Sequence, residues 1–419
     1  GGETVSEVGF YYSTDETVDP ATSVKVTQKY AKDAFTSQIA DLAIFTKYYV
    51  KAYATNSAGT AYSDVVEFKT LASAPVVNTV GSSDITFNSA TLSGKVLTDN
   101  GAAITERGFV WIKGEGIPTT SSNKVKVDGA TGDFTASLSD LDPNVTYSYC
   151  AYAINELGTS YGAVMKFETI KGLPTLGPVN VSNVTSTAAS FSGSVTGHGG
   201  ETVSEIGFYY STDAAVDPSS SVKVNLTYSS NSFSSSVSGL AVNTKYYVKS
   251  YARNSVGTVY SGVISFTTLA DVPVVNTVGS SDVTSSSAVL SGKVVTDNGA
   301  TITERGFVWV QGEGTPTTSS LKLTTTGTTG DFSATIKDLA PNQKYSFRAY
   351  AINSVGTSYG ETKSFTTSVT KPSLNPVTFS SITSASATFS SKVSSHGGAT
   401  VTEVGFYYST DSTVDPDKS

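Results

Sequence analysis

The chain has 419 residues, 15% of them charged, and a net charge of -8 with no basic patch, which argues against nucleic acid or an anionic membrane surface as partner. Its single cysteine, Cys150, excludes an intrachain disulfide and a thiolate metal cluster, and no apolar run is long enough to read as a transmembrane helix. Abundant Ser, Thr, Gly and Tyr with one Met suit β-rich extracellular modules better than a helical cytosolic enzyme.

A phrase beginning at Lys47, KYYVKAYATNSAGTAY, returns in variant form at Thr146, Lys245 and Lys344, each 99 residues after the last. A second phrase, Glu-x-Gly-Phe, keeps the same interval through Gly9, Gly108, Gly207, Gly306 and Gly405. A fixed period of this length predicts small repeated units, each with one core. The units come in two kinds. A-type units carry GFYYSTD followed by VDP, B-type units carry ITERGFVW followed by GEG and PTT, and the true period is therefore 198 residues.

In chain order, residues 1–71 read as a partial A-type sandwich without its first strands. Strands are expected over 5–12, near 24–26 and around 35–39, then along the signature phrase, with a last one ending near residue 70. Residues 72–170 form a complete B-type sandwich with seven predicted strands: 76–81, 89–97, 104–112, 123–127, 132–138, 145–154 and 160–169. Alternating apolar residues with turn signals every 8 to 12 positions are the pattern of an antiparallel sandwich. Residues 171–269 repeat the A type and 270–370 the B type. Residues 371–419 hold a partial A-type sandwich, first strands only. Pro75, Pro174, Pro273 and Pro372 punctuate the junctions, which are too short and too poor in Gly and Ser to act as flexible linkers. Neither end unit is expected to fold alone, because a sandwich without several strands exposes half a core. The chain reads as a window from a longer repetitive polypeptide, or else as a subunit completed head to tail by another copy.

Four copies of Leu-x-x-x-x-x-Tyr, at Leu42/Tyr48, Leu141/Tyr147, Leu240/Tyr246 and Leu339/Tyr345, resemble the tyrosine corner of fibronectin type III and related immunoglobulin-like sandwiches. The following Tyr-x-Val-x-Ala-x-Ala-x-Asn-x-x-Gly pattern, Tyr48 to Gly59, is similar to the sixth strand and tight turn of that family. The second strand departs from it, with Leu92, Phe191, Leu290 and Phe389 where many members carry Trp. Glu-Arg-Gly-Phe combined with Ala-Tyr-Ala-x-Asn-x-x-Gly-Thr-x-Tyr also resembles tandem repeats of Bacteroidota surface and secreted proteins. The resemblance implies an all-β chain of tandem seven-stranded antiparallel sandwiches arranged end to end. It implies a corner role for Tyr48, Tyr147, Tyr246 and Tyr345, and it implies no activity, since such modules serve as stalks, spacers and adhesins alike.

Alternation along the signature strand sends Tyr48, Val50, Ala52 and Ala54 inward and Tyr49, Lys51, Tyr53 and Thr55 outward. Tyr53, Tyr152, Tyr251 and Tyr350 are then expected as an exposed row that either stiffens the sheet by cross-strand packing or contacts sugar or a neighbouring filament. Cys150 stands where other copies have Lys51, Lys249 and Arg348, which predicts an outward surface thiol. Ile104 and Phe109 are five apart, so a bulge at Gly108 is expected to let both reach the core, unless both faces of the strand are covered. Glu106 and Arg107 read as solvated or paired across strands. Asp15/Asp19, Asp213/Asp217 and Asp411/Asp415 supply two carboxylates per A-type turn, few for calcium and well suited to turn capping. His198 and His396 lie in Gly-rich turns.

Neither a catalytic constellation nor a phosphate loop is present in the sequence, and no cofactor or metal is implied. The leading reading is a structural segment of a long extracellular fibre or bacterial surface stalk, its partners being neighbouring repeats and other copies of the chain. A multivalent adhesin for glycan or a host protein is the main rival. A spacer attached to an enzyme, or part of a phage fibre, is the third. At roughly 3.3 Å per strand residue, each unit should advance about 35 Å.

Overall fold

A computed structural model describes residues 2–414, and among these the regular structure is entirely β. The two B-type units share one architecture. In residues 72–170 a three-stranded sheet runs in the order Gly132–Leu138, Ala90–Thr98, Val76–Ser83. A five-stranded sheet faces it, with Gly158–Tyr161, Thr146–Asn155, Glu106–Lys113 and Asn123–Lys126 in order and Met165–Glu168 also on Thr146–Asn155. All named pairings are antiparallel. Residues 171–269 repeat the plan, except that two short first strands, Thr175–Leu176 and Asn180–Ser182, share the place of one.

The core of each complete unit lies between its two sheets. Along Ala90–Thr98 the inward residues Ala90, Leu92 and Val96 are almost wholly buried, as strict alternation requires. Gly94 sits among them, where a Cβ would lie 2.8 Å from the Phe134 ring and 3.1 Å from that of Phe109. The missing side chain lets these two rings meet at 4.9 Å between centroids, and Phe307 and Phe332 meet at the same separation in the next B-type unit.

Two expectations for residues 72–170 need correction. The predicted strand 160–169 is two strands, because the chain leaves the ladder at Gly162. There Thr79 Oγ1 comes inside and accepts the Ala151 N–H at 3.0 Å, and a Cβ at position 162 would lie 2.4 Å from the Thr79 nitrogen. The expected bulge at Gly108 is absent. Glu106–Lys113 pairs with Thr146–Asn155 in unbroken register, Gly108 opposite Tyr152. Ile104 precedes the strand and reaches the core from irregular chain, so alternation never binds it to Phe109.

The end units show what a sheet loses with its partner. Residues 35–39, expected as a strand, are irregular, since the strand that would hydrogen-bond them in residues 171–269 is Ala188–Gly197 and residues 1–71 contain no equivalent. At the other end, 373–395 forms two hairpin pairings, Ser373–Leu374 with Val393–Ser395 and Thr378–Ser380 with Thr388–Ser390, while 401–409 stays irregular. Phe379 and Tyr408 are 69% and 75% exposed.

The four junctions are built alike. In the second, Asn144 N–H donates to Ile170 O at 3.2 Å and Ile170 N–H donates to Thr86 O at 3.1 Å, so residue 170 belongs to the preceding unit. Gly172 N–H donates to Gly199 O at 2.8 Å, and Asn254 Nδ2 donates to Gly172 O at 2.8 Å, so residue 172 belongs to the following one. Lys171 alone lies between, and its ammonium reaches Glu201 at 2.7 Å. The same backbone bonds flank Ala270 and Val369, through Leu269 and Asp271, Ser368 and Thr370, while at Ala72 the Leu71 carbonyl accepts the Phe45 N–H and the Ser73 N–H donates to Asn100 O. A glycine with positive φ receives the preceding unit's corner at each joint: Gly101, Gly200, Gly299 and Gly398 face Phe45, Asn144, Asn243 and Asn342. At Gly200, φ is 75° and an added Cβ would lie 2.4 Å from the Asn144 Cβ, so only glycine fits both the turn and the contact.

Amide hydrogen exchange tests the account of the end unit. The amides of 35–39 should exchange at nearly unprotected rates, while those of Gly132–Leu138, which face a complete partner strand, exchange at least a hundredfold more slowly. Equal protection would contradict it.

Candidate functional site

The signature strand Thr146–Asn155 begins at the corner. Tyr147 is 5% exposed, its hydroxyl oxygen accepts the Asp142 N–H at 2.9 Å, and its ring stacks on Phe167 at 5.6 Å. Tyr48, Tyr246 and Tyr345 accept from Ala43, Ala241 and Ala340 in the same way.

The expected exposed row requires the largest correction. Tyr53, Tyr152, Tyr251 and Tyr350 do project from the face opposite the core, yet each is at most 2% exposed. A roof covers them. In B-type units the loop after the third strand folds back over the sheet and buries Pro118 or Pro316, and Tyr152 packs with Val110 and Cys150 beneath it. In A-type units Val18 and Val216, fully buried, serve as the roof. Both take positive φ, 43° and 44°, a costly conformation for a β-branched residue that the burial offsets.

Beneath the roof the two recurring phrases meet. Tyr152 stands directly across from Gly108, as do Tyr53 from Gly9, Tyr251 from Gly207 and Tyr350 from Gly306. The four hydroxyls donate to Glu7, Glu106, Glu205 and Glu304 at 2.7, 2.7, 2.9 and 2.6 Å. At each of the four glycines a Cβ would lie 2.0 Å from a carbonyl oxygen of the neighbouring edge strand, and at Gly9 and Gly207 it would also strike the tyrosine ring. Glu-x-Gly-Phe is thus a structural unit: the glutamate anchors the phenol, the glycine makes room and the phenylalanine enters the core.

Charges on this face follow the same geometry. Lys126, the Tyr152 hydroxyl and Lys124 hold the Glu106 carboxyl down from its ordinary 4.5 to about 2. Burial, and then the Glu106 carboxylate, push the Tyr152 phenol far above the usual tyrosine range. Cys150 is 1% exposed, which corrects the expected surface thiol. Burial raises it to about 11, so it stays protonated and unreactive at neutral pH. Arg107 is likewise 8% exposed, not solvated: its guanidinium donates to Asp128 O and Ala130 O, both at 2.8 Å, and lies 4.9 Å over Phe134.

The acidic pairs cap turns. Asp15 Oδ1 accepts from the Thr17 N–H and hydroxyl, Asp19 from the Ala21 N–H, Asp213 from the Ala215 N–H and Asp217 from the Ser219 N–H and hydroxyl. The described residues contain no group of three His, Cys, Asp or Glu placed to hold a metal ion. Asp415 lies outside the described residues. His198 shares a polar cluster with Tyr228 and Asn231 at the second junction, Nε2 to Tyr228 Oη 2.7 Å and to Asn231 Oδ1 2.9 Å.

The exposed tyrosines are others. Tyr62, Tyr161 and Tyr260, the last letter of the signature phrase, are 47%, 40% and 41% exposed, and each stands across from a buried tyrosine of the strand before it. Their place at the end of a short outer strand, Gly-Thr-x-Tyr, was the available sequence signal.

No protein-family model and no curated protein matches the chain. Among solved structures, the FN1-FN3 domains of chicken CNTN1 are similar at 17% identity, over 71% of this chain and 99% of that one, with a TM-score of 0.29. A score so low lends no weight to any functional reading, and the tandem sandwich architecture stands on the sheets described above.

Three substitutions test the tyrosine and glycine arrangement by urea unfolding. Gly306→Ala should destabilise its unit by about 1–3 kcal/mol through overpacking, and Tyr350→Phe by about 1–2 kcal/mol through the lost bond to Glu304. Because the Glu106 pKa is lowered in the folded state, its contribution is present above pH 4.5 and is lost as pH falls toward about 2. Glu106→Gln should remove that part of the acid sensitivity, and an unchanged pH profile would contradict the assignment.

Proposed function

We propose that the chain is a structural segment of a long extracellular fibre or surface stalk, in which units 1–71, 72–170, 171–269, 270–370 and 371–419 stack end to end as a stiff rod. The observation that carries this reading is the junction: one residue lies between backbone bonds to the preceding unit and backbone bonds to the following one, at four joints. A flexible linker has many residues free of either neighbour, and rotation about so short a tether breaks bonds on one side or the other. Four joints with the same spacing give one repeated unit-to-unit geometry, as in a solenoid. Its partners are the neighbouring repeats and, laterally, other copies.

A binding array and a spacer for an attached enzyme are the alternatives. The buried state of Tyr53, Tyr152, Tyr251 and Tyr350 removes the surface on which a binding row was first placed. Among the described residues no helix is long and apolar enough to cross a membrane.

Small-angle scattering on the intact chain tests the rod. An extended particle is expected, with about 35 Å of length per unit at roughly 3.3 Å per strand residue. Gly200→Val, whose side chain cannot fit against Asn144, should shorten the maximum dimension and broaden the distance distribution without loss of β-structure by circular dichroism. A collapsed wild-type particle, or a variant with an unchanged profile, would count against the stiff joint.

A further inference from the structure

The two kinds of unit differ in how the first strand is held, and two positions change together. In B-type units the first strand carries Thr79 or Thr277, and the chain leaving the signature ladder carries Gly162 or Gly360. The threonine hydroxyl oxygen reaches across to the other sheet and accepts the backbone N–H of Ala151 or Ala349, both at 3.0 Å. The glycine leaves the space for it. A Cβ at position 360 would lie 2.3 Å from the Thr277 nitrogen and 2.5 Å from its hydroxyl oxygen. Thr277 is buried and Ala349 wholly so, which shields the bond from water.

In A-type units both positions differ. Pro178 stands in place of the threonine and Ser261 in place of the glycine, and Pro376 and Ser63 repeat the exchange in the end units. The Ser250 N–H then finds its acceptor in Ser261 Oγ at 2.9 Å, as the Ala52 N–H does in Ser63 Oγ. That bond closes within one sheet. Among the described residues, Thr175–Leu176 and Asn180–Ser182 have no hydrogen bond to the facing sheet. Proline also has no N–H for the ladder, and the first strand breaks around Pro178, with five paired residues against seven in Val274–Ser281. Two further observations weaken the same unit. Ser250, fully buried, has a hydroxyl without a partner among the described residues, where the B-type units have Ala151 and Ala349. Ile206 stands in place of Arg107 and Arg305, whose guanidiniums hold carbonyls of Asp128 and Ala130, and of Thr326 and Thr328.

We infer that this coupled exchange is a latch between the sheets, closed in B-type units and absent from A-type ones, and that residues 171–269 open before either neighbour, first strand first. A strand held by one ladder alone separates when that ladder frays, whereas a latched strand must also break a buried bond to the facing sheet. The chain thus alternates firm and yielding units with the period of 198 residues. On the rod reading given above, the yielding units are where a strained filament lengthens first. The latch itself does not rest on that reading, and scattering tests the rod separately.

Hydrogen exchange of the intact chain, followed by mass spectrometry, tests the opening order. The amides of Thr175–Leu176 and Asn180–Ser182 should exchange at least about tenfold faster than those of Val76–Ser83 and Val274–Ser281. Thr277→Val keeps the shape and removes the acceptor. It should speed exchange across Val274–Ser281 by about the same factor and leave Val76–Ser83 unchanged, while Thr277→Ser, which keeps the hydroxyl, retains the wild-type rate. The converse double variant, Pro178→Thr with Ser261→Gly, should slow exchange of Asn180–Ser182, and Ser250→Ala should slow that of Ala188–Gly197. Equal exchange of the three first strands in the wild-type chain would overturn the inference. So would a Thr277→Val chain, folded by circular dichroism, whose Val274–Ser281 amides stay as protected as those of Val76–Ser83, or equal loss of protection in Thr277→Val and Thr277→Ser, which would assign the effect to packing.

Discussion

One residue between two sets of backbone hydrogen bonds is the constraint on which the form of this chain depends. With the φ and ψ of one residue the only dihedrals between held neighbours, the proposed rod passes the orientation of each unit to the next. The bonds come from backbone groups and from asparagines of the turn motif, Asn155, Asn254 and Asn353, whose amides hold the incoming chain and the adjacent turn at once. Glycines at 101, 200, 299 and 398 then let the preceding corner approach. Insertion at any of these points would shift partners that lie 56 residues apart, such as Asn144 and Gly200, which gives the constant interval a physical reason.

A second constraint acts inside the units. The strand that carries the corner tyrosine is buried on both faces: one by the opposing sheet, the other by a loop folded back upon it. Tyr149 and Tyr152, three residues apart, are both almost wholly inaccessible, on opposite sides. Four buried phenols bound to four glutamates and lodged over four glycines tie the third strand to the signature strand, independently of the core. A chain without disulfides thereby gains a second packed layer in each unit, and small domains have few other means of raising their stability.

Much of this was legible in the sequence. The first six strands of residues 72–170, the two alternating unit types and the outward direction of Tyr53 followed from spacing and alternation, and the corner place of Tyr48, Tyr147, Tyr246 and Tyr345 from the resemblance. Exposure did not, because alternation reports which side of a sheet a residue occupies and not whether a distant loop lies over it. Pro118 and Val18 form the roof from within segments that read as ordinary turns. The same blindness placed Cys150 in solvent and left Arg107 as solvated or paired across strands. Gly108 misled for a related reason: a glycine between two apolar residues five apart reads as a bulge, whereas it makes room for the Val125 carbonyl of the neighbouring edge strand. Residues 35–39 carry a strand pattern, but a strand needs a partner, and local pattern does not report one.

The most direct test of the stiff rod is a distance measured across two joints. Spin labels at Thr135→Cys and Ser333→Cys, in a Cys150→Ser background, occupy equivalent exposed positions of the two B-type units, 198 residues apart. Pulsed dipolar spectroscopy should give one narrow distance distribution, because three units joined by single residues keep one orientation. A broad distribution extending to short distances would contradict the account.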